Sequence, residues 1–118
     1  MREMHGFLVE DFLSLQVGSD DAPVQEIIAR LKKAGYDVRS IIREFQSNGN
    51  PTWNDRDGYA AREIVYYIDL VSPRGMKEIM KIDMDISYDK LEAEVVGSRE
   101  TKEIAEQILL EHGFVFDF

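Results

Sequence analysis

The sequence predicts an α+β domain in two layers, one mainly antiparallel sheet with two helices on one of its faces. Three observations carry this. Several stretches alternate apolar and polar residues, the period of half-buried strands. Two others repeat apolar residues at helical spacing, and clusters of Gly, Pro, Asn and Asp separate the segments. At 118 residues the chain fits a single domain, residues 1–118.

The first alternation spans Phe12 to Val17, with Leu13, Leu15 and Val17 on one side, and predicts a strand ended by Gly18-Ser19. Asp20 and Asp21 then offer caps, Pro23 suits a first helical turn, and Val24, Ile27, Ile28 and Leu31 form a helical stripe up to Gly35. Tyr36 to Phe45 is rich in β-branched and aromatic residues and reads as a strand, although Ile41-Ile42 blurs which face is buried. The turn formers from Ser47 to Gly58 predict a long connection that carries the single Trp. Glu63 to Val71 alternates cleanly. After Ser72-Pro73-Arg74-Gly75, Met80, Ile82, Met84 and Ile86 alternate with Lys81, Asp83 and Asp85, predicting a strand from Ile79, while residues 76–81 would also suit a short helix. Leu91, Ala93 and Val95 give another strand, ended by Gly97. Ser98 caps a last helix with Ile104, Ala105, Ile108 and Leu109 on one face, closed by His112-Gly113 before a terminal strand from Phe114 to Phe118. The predicted order is β-α-β-β-β-β-α-β.

Val17-Gly18-Ser19, a helix and Gly35-Tyr36-Asp37-Val38 are echoed by Val96-Gly97-Ser98, a helix and Gly113-Phe114-Val115-Phe116. Two strand–helix–strand units of this kind resemble a ferredoxin-like sandwich with an inserted hairpin. The same string also resembles the TATA-binding-protein-like arrangement of one strand, one helix, four strands and one helix. Both resemblances are topological. They imply a two-layer sandwich and bring no site residues with them.

Composition narrows the function. The net charge of −9, from 23 acidic and 14 basic residues, repels nucleic-acid backbones and anionic lipid. The absence of cysteine excludes thiolate nucleophiles, disulfides and Cys-ligated metal. No apolar run has membrane-spanning length, and Met1 to Gly6 lacks the apolar core of a signal peptide, so a cytoplasmic protein is expected. No cofactor is implied. His5 and His112 have no third ligand nearby and no Ser-His-Asp pattern appears, so enzymatic activity is not expected.

Three surfaces are candidate sites. A partner-binding surface comprises Trp53, Asp55, Arg56 and Asp57 of the long connection with Tyr67 and Asp69 on an acidic sheet face, whose charge suits a basic protein partner. Assembly as a homodimer through a sheet edge is expected beside it. Gly97, Ser98 and Arg99 begin a helix and could take an anion. Asp83, Asp85, Ser87, Asp89 and Glu94 fall at positions 1, 3, 5, 7 and 12 of an EF-hand-like pattern, which makes calcium the metal to test, although Tyr88 stands where the pattern wants Gly. The first reading is thus a binding or regulatory domain acting through protein contacts; the alternative is a small-ligand or calcium sensor.

Overall fold

A computed structural model describes residues 2–16, 20–47, 62–87 and 90–116. Its elements are β1 (Arg2–Phe7), α1 (Val9–Leu13), α2 (Ala22–Lys33), β2 (Asp37–Ser47), β3 (Arg62–Val71), β4 (Lys77–Ile86), β5 (Leu91–Val96), α3 (Arg99–Glu111) and β6 (Val115–Phe116). The six strands form one sheet in sequence order, antiparallel throughout except for the parallel pair β5–β6. Two split βαβ units would interleave their strands. Here β1 and β2 are antiparallel neighbours, and only β5–α3–β6 has the parallel crossover.

The beginning of the chain departs from the expectation. Phe12 to Gln16 is not a strand, while Val17 to Ser19 lie outside the described residues: Val9, Phe12 and Leu13 share the face of the short helix α1, and Phe12 is fully buried. Its ring meets Phe7 edge-on at 5.4 Å and Tyr66 at 6.0 Å. The Gln25 side chain ties the end of α1 to α2, donating to Phe12 O at 3.0 Å and to Leu15 O at 3.1 Å. The first strand is instead Arg2–Phe7, whose sequence shows no apolar alternation. Residues 76–81 resolve toward strand, since β4 begins at Lys77.

The remaining elements follow their residues. Val24, Ile27, Ile28 and Leu31 of α2 and Ala105, Ile108 and Leu109 of α3 join one core with Ile64, Tyr66, Ile68, Leu70, Met80, Ile82, Met84, Ala93 and Val95 of the sheet. The blurred alternation in β2 has a cause: the register with β3 shifts between Val38 and Ser40, and that bulge lets Val38 and Ile41, three residues apart, both enter the core.

The internal echo is a pair of helix exits. Gly35 at φ 97° and Gly113 at φ 89° end α2 and α3 in the left-handed conformation. Tyr36 N then donates to Leu31 O and Phe114 N to Leu109 O, each at 3.0 Å, and both aromatic rings are buried. These bonds satisfy carbonyls that the helix end would otherwise leave open.

Asp21 stands at the N-cap of α2 without a side-chain capping hydrogen bond. Asp20 takes two hydrogen bonds from Arg62, at 2.7 and 2.9 Å. Asp21, 6 % exposed, accepts from the Tyr66 hydroxyl at 2.7 Å and from Arg43, tying the start of α2 to β2 and β3. Among the described residues no helix is long and apolar enough to cross a membrane.

Candidate functional site

The registers decide which side chains share the sheet face turned away from this core. Alternation along β4 sends Met80, Ile82, Met84 and Ile86 inward and leaves Lys81, Asp83 and Asp85 on the outer face. Cross-strand pairing then groups the outer residues into lanes. One lane runs Gln46, Glu63, Asp85, Glu92 across β2 to β5. The next runs Met4, Glu44, Val65, Asp83, Glu94 across β1 to β5. The third runs Gly6, Ile42, Tyr67, Lys81, Val96.

Two adjacent lanes therefore hold six carboxylates, Glu44, Glu63, Asp83, Asp85, Glu92 and Glu94. Asp85 faces Glu63 on one side and Glu92 on the other, and Asp83 faces Glu94. Like charges directly opposite one another destabilise a sheet. One carboxylate oxygen from each of Glu63, Asp83 and Asp85 lies within 4.8 Å of the other two.

The ionisation of the cluster answers to this crowding. Partial burial, then the hydrogen bond and charge of Glu63, then the charge of Asp85 push the Asp83 carboxyl up to about 7, against a smaller opposing effect of Lys81. Asp85 is also raised, by burial first and then by the charges of Glu63 and Glu92. Asp83 Oδ1 is buried without a hydrogen-bond partner. A bond between two carboxyls needs a proton on one of them, and the raised Asp83 carboxyl is the one that holds it below about pH 7. A hollow of about 260 Å³ lies against Asp83, Asp85, Glu92 and Glu94.

Beside the acidic lanes the outer face turns apolar. Ile42 is 39 % exposed, Val96 54 %, Met4 62 % and Ile79 66 %. Tyr67 stands between Ile42 and Lys81 in the third lane, half-buried. Asp69 accepts a hydrogen bond from Ser40 Oγ at 3.0 Å and borders a wider recess of about 650 Å³ with Arg39, Lys77 and Ile79.

The candidates read from the sequence fall into three groups. Tyr67, Asp69, Asp83, Asp85 and Glu94 share the outer face. In the described part of the stretch with EF-hand spacing, Asp83 and Asp85 lie within β4 and Glu94 within its antiparallel neighbour β5, so these carboxylates meet across a ladder. Trp53, Asp55, Arg56, Asp57 and Asp89 lie outside the described residues. Gly97, Ser98 and Arg99 stand apart at the start of α3, where Ser98 Oγ accepts from Thr101 N at 3.5 Å and Arg99 pairs with Glu103 at 3.3 Å. A Cβ on Gly97 would meet Thr101 Oγ1 at 3.0 Å and Met80 Cγ at 3.4 Å, so close packing accounts for the glycine. Beside this helix start, burial first and then Glu100 and Glu78 push the Tyr36 hydroxyl up, against a smaller effect of Ser98.

Glu63 is the member of the cluster that sequence reasoning missed. Its signal was present, because it continues the outward series Val65, Tyr67, Asp69 of β3 by two residues. No protein-family model, curated protein or solved structure matches the chain.

Proposed function

We propose that the protein is a binding domain whose outer sheet face receives a basic, amphipathic segment of a partner protein. The observation that carries this reading is the pair of acidic lanes, centred on Glu63, Asp83 and Asp85, beside exposed Ile42 and Val96. Crowding of Glu63, Asp83 and Asp85, with Glu92 and Glu94 opposite in the ladder, costs the free domain stability through repulsion and the partial desolvation that raises Asp83 and Asp85. A cationic ligand turns that cost into binding energy, and it displaces the proton that Asp83 would otherwise keep. Lysines or arginines on the partner would meet the lanes, and apolar residues between them would cover Ile42 and Val96. Trp53, Asp55, Arg56 and Asp57, which lie between β2 and β3 in the sequence, would add further partner contacts. Of the two topological resemblances, the sequential strand order favours one strand, helix, four strands, helix; function rests on the face alone.

A second reading has its own observation. Three carboxylates with oxygens within 4.8 Å of one another offer hard ligands to a divalent cation such as calcium. Calorimetry separates the two. The first reading expects an alternating Lys/Leu peptide to bind, with affinity falling as salt rises, and Asp83→Asn with Asp85→Asn to weaken it. Calcium heat with no peptide binding would favour the cation, and neither heat would remove both.

A further inference from the structure

The outer edge of β1 is a second surface: it bounds the acidic face, whose second lane ends at Met4, and lies two strands from Glu63 and three from Asp83 and Asp85. Among the described residues the sheet ends at β1, which pairs with β2 alone. Sheet edges are commonly blunted by proline, lysine or a bulge. β1 reads Arg-Glu-Met-His-Gly-Phe and pairs with β2 without a shift in register, so it has no proline, lysine or bulge, and its charges, Arg2 and the inward Glu3, are what a pairing strand has to match. Met4 is 62 % exposed, and a hollow of about 400 Å³ borders Glu3, Met4, His5, Arg43 and Phe45.

We propose that β1 pairs antiparallel with β1 of a second copy of this chain, about a two-fold axis at Met4. Charge complementarity selects this occupant and this register. With the axis at Met4, Glu3 lies opposite the partner's His5, His5 opposite the partner's Glu3, and Met4 against the partner's Met4. An axis at Glu3 would oppose two carboxylates, and an axis at His5 would oppose two imidazoles. Placing it between Met4 and His5 would set Glu3 against a glycine. Cross-strand acid–base and apolar pairs stabilise a ladder, whereas like charges oppose it. The contact is isologous, so it closes at two copies. At −9 per chain, counted with histidine neutral, most of the surface repels a second copy, whereas this register sets each Glu3 against an imidazole that can donate a hydrogen bond and not against a second carboxylate.

Sedimentation velocity over a range of concentration tests the pairing. Wild type should move from one chain, 13.6 kDa, toward two as concentration rises to about 1 mM. His5→Glu should hold it at one chain, and Glu3→Lys combined with His5→Glu should restore the dimer by reversing the pair. Met4→Lys places like charges on the axis and should also dissociate it, with an unchanged thermal melt at low concentration showing that the domain still folds. A single chain at every concentration would overturn the proposal. So would a dimer indifferent to His5→Glu and Met4→Lys, or one that the charge reversal fails to restore.

Discussion

The Tyr66 hydroxyl donates to Asp21 Oδ1 at 2.7 Å, across the interface between β3 and the start of α2. Tyr66 is fully buried, and burial together with the Asp21 carboxylate pushes its own ionisation far above the ordinary range, so it stays a donor at any working pH. Arg43 holds the second oxygen of Asp21. Removing the hydroxyl with Tyr66→Phe leaves a buried carboxylate one donor short, a loss of about 1–3 kcal/mol. The denaturant midpoint should fall accordingly, and an unchanged midpoint would show that the bond contributes nothing net.

Leu31 closes the buried stripe of α2 and is fully buried. Leu31→Ala should cost about 2–5 kcal/mol, the range for a leucine whose cavity relaxes only in part. Chemical denaturation gives the value directly.

The two glycine exits should differ. Both need a left-handed backbone, which an alanine resists by about 1–2 kcal/mol. At Gly35 an added Cβ also meets Pro73 Cγ at 3.3 Å, while at Gly113 its nearest neighbour is Leu91 Cδ1 at 3.7 Å, an ordinary contact. Gly35→Ala should therefore lower the melting temperature more than Gly113→Ala.

Asp83 gives stability a dependence on pH of known sign. Its carboxyl is raised from 3.8 to about 7 in the fold, so between these values the folded chain holds a proton that the unfolded chain has lost. The slope of unfolding free energy with pH is negative wherever the native state binds more protons. Its contribution thus falls as pH rises from about 4 to about 7 and is flat above that. Asp83→Asn should raise the melting temperature at pH 8 and flatten this part of the profile. Carbon-detected NMR of the Asp83 carboxyl reads the titration itself, and an ordinary aspartate value would show that the cluster is not desolvated.

Much of this architecture was legible in the sequence, and the failures have physical causes. α2, β3, β4, β5 and α3 announce themselves because one side of each meets the core, so their apolar periods are regular. β1 stayed hidden because it lies at the sheet margin, where its inward positions Glu3 and His5 are exposed and need not be apolar. Phe12 misled because a five-residue helix carries too few turns to establish a period, and Leu13 and Leu15 imitate alternation. The acidic face could be read from β4 and β5 one strand at a time. That Glu63 meets Asp83 and Asp85 is a fact of register between strands, and no single segment holds it.

The proposal that a basic segment docks on the outer face is tested most directly by amide NMR during titration with the alternating Lys/Leu peptide. Shifts should concentrate at Ile42, Glu63, Asp83, Asp85, Glu92, Glu94 and Val96, shrink as salt rises, and shrink in the Asp83→Asn, Asp85→Asn double variant at the same peptide concentration. Shifts gathered on α2 and α3, or none at low salt, would contradict it.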